Sequence, residues 1–427
     1  MIWVMIALFF ALILLGVPIV FCMAVASLFG LLVFDIPLMM IIQKIHSGMD
    51  SFPYLAIPFF VLAGSLMETG GISLRMVNLA KAMVGHIKGG LGLVVIVAEM
   101  LFSGISGSSI ADASAIGSVM IPPMKKSGYS TEHTVSIIAA ASGAGILIPP
   151  CLVMIVMATI ADQSVAALFF GGFLPGIFLC MSLMALIYYQ AHKGALPGGD
   201  STFSFRLVMT TFWHAIVPLM MAVIIFGGIL AGVATATEVA VLGVMYALIV
   251  SIMLYKEMSL ADLPKILVDT VVITASVLFL LGVSACFTYI LATQQVPQMV
   301  KSLVLSVTEN RYVFLLLTTL IFIISTAVLD GLPALLIFFP IFYPISNQLG
   351  IHPLQFTLLA VACNGIGVVV PPIGVLLMIV CGIAKAPISS VLRTMIPYVA
   401  VLIISLTVIM FIPWIILVIP RMIWPEL

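Results

Sequence analysis

Charge is scarce in this chain. Asp, Glu, Lys and Arg make up 7% of its 427 residues, against about a quarter in an ordinary soluble domain. No polar stretch is long enough to form a separate soluble domain. The 15 Lys and Arg balance the 15 Asp and Glu, so no nucleic acid or other polyanion is implied as a partner. The six cysteines (Cys22, Cys151, Cys180, Cys286, Cys363 and Cys381) lie in apolar stretches without CxxC spacing or His companions. That pattern argues for small core residues rather than metal or redox chemistry. No GxxxxGK[ST] nucleotide loop occurs, and no nucleophile–His–acid set or metal-ligand cluster stands out. Neither enzyme activity nor an organic cofactor is expected.

What the chain has in quantity is apolar surface. Hydrophobic residues reach 64% and mean hydropathy is +1.38. Long apolar runs recur, for example at 174–189, 216–230, 239–254 and 399–419. A helical span takes about 20 such residues, so the chain has room for ten or more passes through a lipid bilayer. Solid runs, not alternating polarity, exclude a β-barrel. The first 34 residues lack a basic start and a small-residue cleavage site, and are expected to be membrane helices rather than a removed signal. The expected class is an all-α polytopic membrane protein.

Self-similarity is the most informative feature. Ser142-Gly-Ala-Gly-Ile-Leu-Ile-Pro-Pro150 parallels Asn364-Gly-Ile-Gly-Val-Val-Val-Pro-Pro372, an interval of 222 residues. Gly128 and Gly350, Pro122 and Pro344, Ala140 and Ala362, and Pro175 and Pro397 keep that interval. Two copies exclude a solenoid, which needs three or more. Basic residues indicate how the copies are oriented, because Lys and Arg favour the cytoplasmic ends of spans. Copy one carries Arg75, Lys81, Lys88, Lys125 and Lys126 around its hairpin, where the equivalent turn 346–352 has none. After the break the bias swaps: Asp162-Gln-Ser164 has none, while copy two has Lys385 and Arg393. Only Lys44, Lys301, Arg311 and Arg421 of the 15 basic residues then fall on the opposite side. Inverted repeats are expected, each with a re-entrant hairpin and a discontinuous helix. The divisions are 1–52 as scaffold helices, 53–190 as repeat one, 191–265 as scaffold helices and cytoplasmic loops, and 266–427 as repeat two with a C-terminal helix. Residues 75–86, with Met76, Leu79, Ala80, Met83 and Val84 on one face, read as an interfacial arm.

Within lipid, irregular backbone survives only where protein buries it or it lines a polar cavity. Pro149 and Pro150 have no N–H, so the carbonyls of Gly145 and Ile146 are expected to lose their i+4 donors, as are those of Gly367 and Val368. Such carbonyls suit a hard cation like Na⁺, and facing half-helix N-termini suit an anion. One proline could be a packing kink; paired breaks favour a transport site. The hairpin segment Ser103-Gly-Ile-Ser-Gly-Ser-Ser-Ile-Ala-Asp112 adds four hydroxyls and a carboxylate. Ser103 and Ser106 are open to two readings, ligands or hydroxyls bonded back to helix carbonyls. Asp112 is a ligand or the cap of the returning helix. Asp330, at the second tip, is an intramembrane carboxylate and so a functional candidate. Glu99, His214, Glu238 and Asp269 have no counterpart in the other repeat and read as structural.

The segment 50–68, then Gly85-His-Ile-Lys-Gly-Gly-Leu91, then Ser103 through Pro123 with its Ala111-Asp-Ala-Ser-Ala-Ile-Gly-Ser-Val-Met-Ile-Pro-Pro123 run, resemble the large membrane subunit of tripartite ATP-independent periplasmic (TRAP) transporters. The resemblance spans essentially the whole chain. It departs at Ala236 of Thr235-Ala-Thr-Glu238, where the family usually has Pro. The resemblance implies an elevator-type transporter of the bacterial inner membrane, driven by Na⁺ without ATP. It also implies a small four-helix membrane subunit and a soluble periplasmic binding protein as partners. The substrate would be an organic acid, such as a C4-dicarboxylate or a sialic acid. Carried onto this sequence, one Na⁺ site would use Ser103, Ser106, Gly145, Ile148 and Pro150. The other would use Ser325, Thr326, Gly367 and Val370. Substrate would sit near Ser106, Ser108, Asp112, Asp330 and Asn364, with Asp330 meeting Na⁺ or a substrate hydroxyl or amine. The alternatives are a Na⁺- or H⁺-coupled symporter that needs no binding protein, and a membrane scaffold that transports nothing.

Overall fold

Residues 1–198, 203–371 and 374–426 are described by a computed structural model. Pro372, the expected partner of Pro150, and Leu427 lie outside the described residues. Every regular element among the described residues is helical. Three helices lead: α1 (Ile2–Leu14), α2 (Ile19–Val33) and α3 (Met39–Met49). Then come α4 (Ala56–Thr69), α5 (Ile72–Val84), the hairpin α6 (Gly90–Ser106) and α7 (Ser109–Lys126), the pair α8 (Thr131–Gly145) and α9 (Leu152–Ile160), and α10 (Val165–His192). Between the halves run α11 (Phe205–Leu230) and α12 (Ala236–Leu248), the latter continued by π-type turns at Ile249–Leu254. The second half has α13 (Leu263–Thr293), α14 (Val296–Val307), the hairpin α15 (Arg311–Leu329) and α16 (Gly331–Gln348), the pair α17 (Pro353–Gly367) and α18 (Val375–Ala384), then α19 (Ile388–Phe411) and α20 (Trp414–Ile423).

Helix bounds recur at the interval seen in the sequence. Helices α7 and α16 begin and end 222 residues apart, and so do α8 and α17. Local chemistry sets several starts. Ser130 and Ser164 accept the His133 and Ala167 N–H at 3.2 and 3.3 Å, each satisfying a donor that a helix start leaves free. Thr235 and Glu238 form a capping box on α12, which gives Glu238 the structural role expected of it.

Seven helices among the described residues are long and apolar enough to cross a membrane, fewer than the ten or more passes that composition allows. The reason is that the repeats divide their apolar length between short pieces, α8 with α9 and α17 with α18, and that α1, α2 and α6 fall short on length. Outward faces are apolar: Leu267, Val268, Val271 and Val272 of α13 are all exposed, while Glu99, Asp112, Ser142 and Asn364 are buried. That inside-out polarity suits lipid as the solvent. Helix α5 buries Met76, Leu79 and Ala80 as expected but also Val77 and Ala82, and Met83 is exposed. Its buried face is turned from the one read in the sequence because α5 packs on both α6 and α11.

Candidate functional site

Each hairpin turns in very few residues. In the first, Gly107 takes φ 69° between α6 and α7, a conformation that glycine adopts without steric cost. In the second, the whole turn is Asp330, with φ 68° and ψ 156°. That region is nearly closed to residues with a Cβ and costs about 1–3 kcal/mol. The Asp330 carboxylate offsets part of this by accepting the Gly331 N–H at 2.7 Å.

Hairpin tips and helix breaks meet in space. A Cβ on Gly145 would strike the Ser103 hydroxyl, and one on Gly367 would strike that of Thr326. Gly104 faces the Pro149 carbonyl and Gly107 faces that of Pro150, and the Leu152 N–H donates to the Gly107 carbonyl at 3.2 Å. The structure thus brings Ser103 together with Gly145, and Thr326 together with Gly367. The breaks differ from expectation in one respect. The Gly145 carbonyl accepts the Ile148 N–H at 2.8 Å, the Gly367 carbonyl accepts the Val370 N–H at 3.0 Å, and the Val368 carbonyl accepts the Leu376 N–H at 3.0 Å. Tight i+3 turns and a bond across the break replace the donors that proline removes. These oxygens keep one lone pair each rather than two.

The first tip holds a buried carboxylate cluster. Ser103 donates to Asp112 at 2.5 Å, and Ser106 donates to the other carboxylate oxygen. All three residues are buried. Among the described residues neither hydroxyl bonds back to a helix carbonyl, because the two-residue turn carries Asp112 onto the end of α6. Asp112 is also not the cap of α7: Ser108 is, accepting the Ala111 N–H at 3.4 Å. The second tip is built the other way. Ser325 donates to Phe322 O at 3.1 Å, and Thr326 to Phe322 O at 2.7 Å and Cys363 O at 3.3 Å. Asp112's counterpart there is Ala334. The two hydroxyl pairs therefore sit in different oxygen sets: Ser103 and Ser106 share the Asp112 carboxylate, whereas Ser325 and Thr326 bond only to backbone carbonyls among the described residues. Both are hard-oxygen sets that fit Na⁺ in kind. Glu99, read from the sequence as structural, accepts the Ser142 hydroxyl at 2.5 Å.

Between the tips lies a cavity of about 570 Å³. Ser108, Asp330 and Asn364 all line it, whereas Ser106 and Asp112 sit behind the first tip and do not. Four helix starts reach its wall, those of α7, α9, α16 and α18, through Ser109, Leu152, Gly331 and Val375. The partial positive charge of these helix starts favours an anion, although the Leu152 and Gly331 N–H groups are already engaged, by the Gly107 carbonyl and the Asp330 carboxylate. No Lys or Arg among the described residues lines it. Asn364 is 2% exposed, and its Oδ1 lies against Gly331 with no hydrogen-bond partner among the described residues. A buried amide oxygen without a partner is costly, so this position is set up for a ligand. The far wall is Val17–Val20, before and at the start of α2, with Ser276, Val277 and Leu280 of α13. Sequence reasoning missed that wall, since apolar residues in apolar runs carry no local mark. Cys151, assigned to the core, is buried and also lines the cavity.

A helical membrane protein with paired hairpins and broken helices around an anion-suited cavity has the organisation of a secondary transporter. The DctM component family of tripartite ATP-independent periplasmic transporters matches residues 6–415, and the chain belongs to that family. It is 39% identical over 415 residues to the uncharacterized protein YgiK of Salmonella typhimurium, covering 96% of this chain and 95% of that one. It is 35% identical over 378 residues to the C4-dicarboxylate TRAP transporter large permease protein DctM of Pseudomonas aeruginosa, covering 88% of each. In fold it is similar to the YdaH transporter of Alcanivorax borkumensis, with a TM-score of 0.67, 15% identity and 88% of each chain covered.

Proposed function

We propose that this chain is the membrane-embedded large permease of a Na⁺-coupled transporter that imports an organic acid delivered by a soluble periplasmic binding protein. The observation that carries the reading is the convergence of four helix starts and the unpartnered Asn364 oxygen on one cavity between two hairpin tips. The carboxylate of the substrate binds at the helix starts, with the Ser108 hydroxyl and the Asn364 amide N–H as donors, while the unpartnered Asn364 Oδ1 accepts a substrate hydroxyl or amine. Asp330, at the cavity rim, accepts a substrate hydroxyl or amine. Ser103, Ser106, Asp112 and the Gly145, Ile148 and Pro150 carbonyls hold one Na⁺; Ser325, Thr326, Gly367 and Val370 hold the second. Bound cations offset the negative charge that Asp112, Asp330 and the substrate would otherwise place together in a low-dielectric site. The charge swap between repeats supports inverted topology, and helices 1–52 with 191–265 then serve as the scaffold against which the tips and breaks move as an elevator. A small membrane subunit completes the permease in the bacterial inner membrane.

The test is uptake in proteoliposomes holding this chain with the small membrane subunit and the binding protein. Organic-acid uptake that stops when Na⁺ is withdrawn supports the reading. Uptake that persists without Na⁺ at clamped pH overturns the coupling. Uptake by this chain without any binding protein overturns the delivery step and indicates a self-sufficient symporter.

A further inference from the structure

A second cavity, also of about 570 Å³, adjoins the first. The same three helices pass from one to the other. Helix α9 lines the first with Leu152 and Val153 and the second with Thr159 and Ile160. Helix α16 lines the first up to Pro333 and the second at Leu336 and Pro340. On α13, Leu280 belongs to the first and Leu281 to the second. Val277 to Ser284 is about 10 Å along a helix, so the chambers lie end to end. What separates them is dry: Met154, Ile155, Val156, Met157 and Ala158 of α9 and Ala334 and Leu335 of α16 are each 0% exposed.

The chemistry of the second chamber differs from the first. Lys44 lines it, with its ammonium 4.4 Å from the centre of the Tyr289 ring, which also lines it. The sole ion pair among the described residues joins Arg75 to Glu257, so Lys44 has no carboxylate partner there. Ser51 and Thr288 add hydroxyls whose protons are not committed to other groups among the described residues. By contrast, Ser47, Thr159 and Ser284 donate to helix carbonyls at 3.2, 3.0 and 2.8 Å. Asp50, at the end of α3, supplies an acceptor on the same wall. A half-buried, aromatic-backed cation with two free hydroxyls is a carboxylate receptor, and an acceptor beside it suits a hydroxyl on the same ligand.

We propose that this second chamber is a separate receiving site for a hydroxylated organic acid, held by Lys44, Ser51 and Thr288 on the far side of the apolar partition from the central site. The proposal rests on the reading of the first cavity as the substrate site. It adds a docking point that a substrate occupies before or after that site, with Lys44 as its specificity-determining residue. The two chambers share no lining residue among those described, so each can be probed alone.

The probe is L-malate, with glycerol as a neutral polyol control, on the full chain in proteoliposomes. Single cysteines at Ala292→Cys for the second chamber and Val20→Cys for the first are labelled with a maleimide; the six native cysteines are buried, and the unsubstituted chain sets the baseline. Malate, and not glycerol, should slow labelling at both positions. Adding Lys44→Ala should raise the half-protecting malate concentration about tenfold at Ala292→Cys only, the change expected for losing one charged contact, and Lys44→Arg should restore it. Protection at Val20→Cys with none at Ala292→Cys, or Ala292→Cys protection unmoved by Lys44→Ala, overturns the second site and leaves the first. Absence of malate protection at Val20→Cys alone counts instead against the central reading. Equal protection by glycerol overturns the carboxylate assignment.

Discussion

Gly143 and Gly365, 222 residues apart in the chain, touch each other: a Cβ on Gly143 would lie 2.6 Å from the Gly365 carbonyl oxygen, and a Cβ on Gly365 would strike the Gly143 carbonyl. The contact is reciprocal, as it is between equivalent positions across a two-fold axis. It joins α8 to α17 at the centre of the two breaks. An alanine at either position forces the backbones apart, and overpacking of this kind costs about 1–3 kcal/mol. Gly143→Ala and Gly365→Ala should each lower the thermal midpoint of the detergent-solubilised protein. The double variant should lose less than the two single losses combined, since both relieve the same clash by the same displacement.

Asp112 holds two buried hydroxyls at once. Asp112→Ala leaves Ser103 and Ser106 without their acceptor, at a cost of about 1–3 kcal/mol. Asp112→Asn keeps the shape and removes the charge. Both should weaken Na⁺ dependence of uptake, with the Na⁺ concentration for half-maximal rate rising about tenfold or more. The counterpart substitution Ala334→Ser, which touches neither hydroxyl, should not have that effect. Na⁺ titration of uptake separates the three.

Asp330 combines a strained backbone with an exposed carboxylate. Asp330→Gly relieves the strain and adds chain entropy to the unfolded state, a net gain of roughly 1 kcal/mol. The variant is therefore expected to melt higher and to transport more slowly. Asp330→Ala removes the carboxylate without relieving the strain, and should melt lower than the parent. A fall in stability for the glycine variant would refute the strain assignment.

The buried amide of Asn364 should govern substrate affinity rather than folding. Asn364→Leu removes an oxygen that has no partner among the described residues, so stability should change by less than about 1 kcal/mol. Half-saturation for the organic acid should rise about tenfold. Asn364→Asp adds negative charge to an anion site and should be worse. Uptake kinetics against substrate concentration decide both.

Arg75 donates to Glu257 at 2.6 Å and stacks 3.6 Å from the Tyr255 ring centre, tying α5 to the end of the α12 segment. The pair is partly exposed, and such pairs contribute about 1 kcal/mol or less. Glu257→Gln should leave the melting temperature within a few degrees. A large loss would mean that the stacking and the bond act as one unit.

Much of this architecture follows from local chemistry that the sequence displays. Prolines at 149 and 150 remove donors wherever they fall, so α8 has to stop near Gly145, and it does. Gly107 between two apolar helices permits the tight turn at which the first hairpin reverses. The 222-residue interval in Gly and Pro reappears in the bounds of α7 with α16 and of α8 with α17. Those features depend on backbone freedom and missing N–H groups, which are properties of each residue by itself.

Only the tertiary structure decided which oxygens are engaged. The two hydroxyl pairs behave differently because Ser103 and Ser106 have a carboxylate folded back onto them, whereas Ser325 and Thr326 bond to helix carbonyls. The Gly145 and Gly367 carbonyls are free on paper and occupied in space, since tight turns supply new donors. The far walls of both chambers come from apolar helices distant in sequence, and a side chain in an apolar run carries no sign of which helix it will face. Composition and proline placement determined that the chain is a helical membrane protein with two broken repeats. Distances between segments that are remote in the chain determined where a substrate could sit.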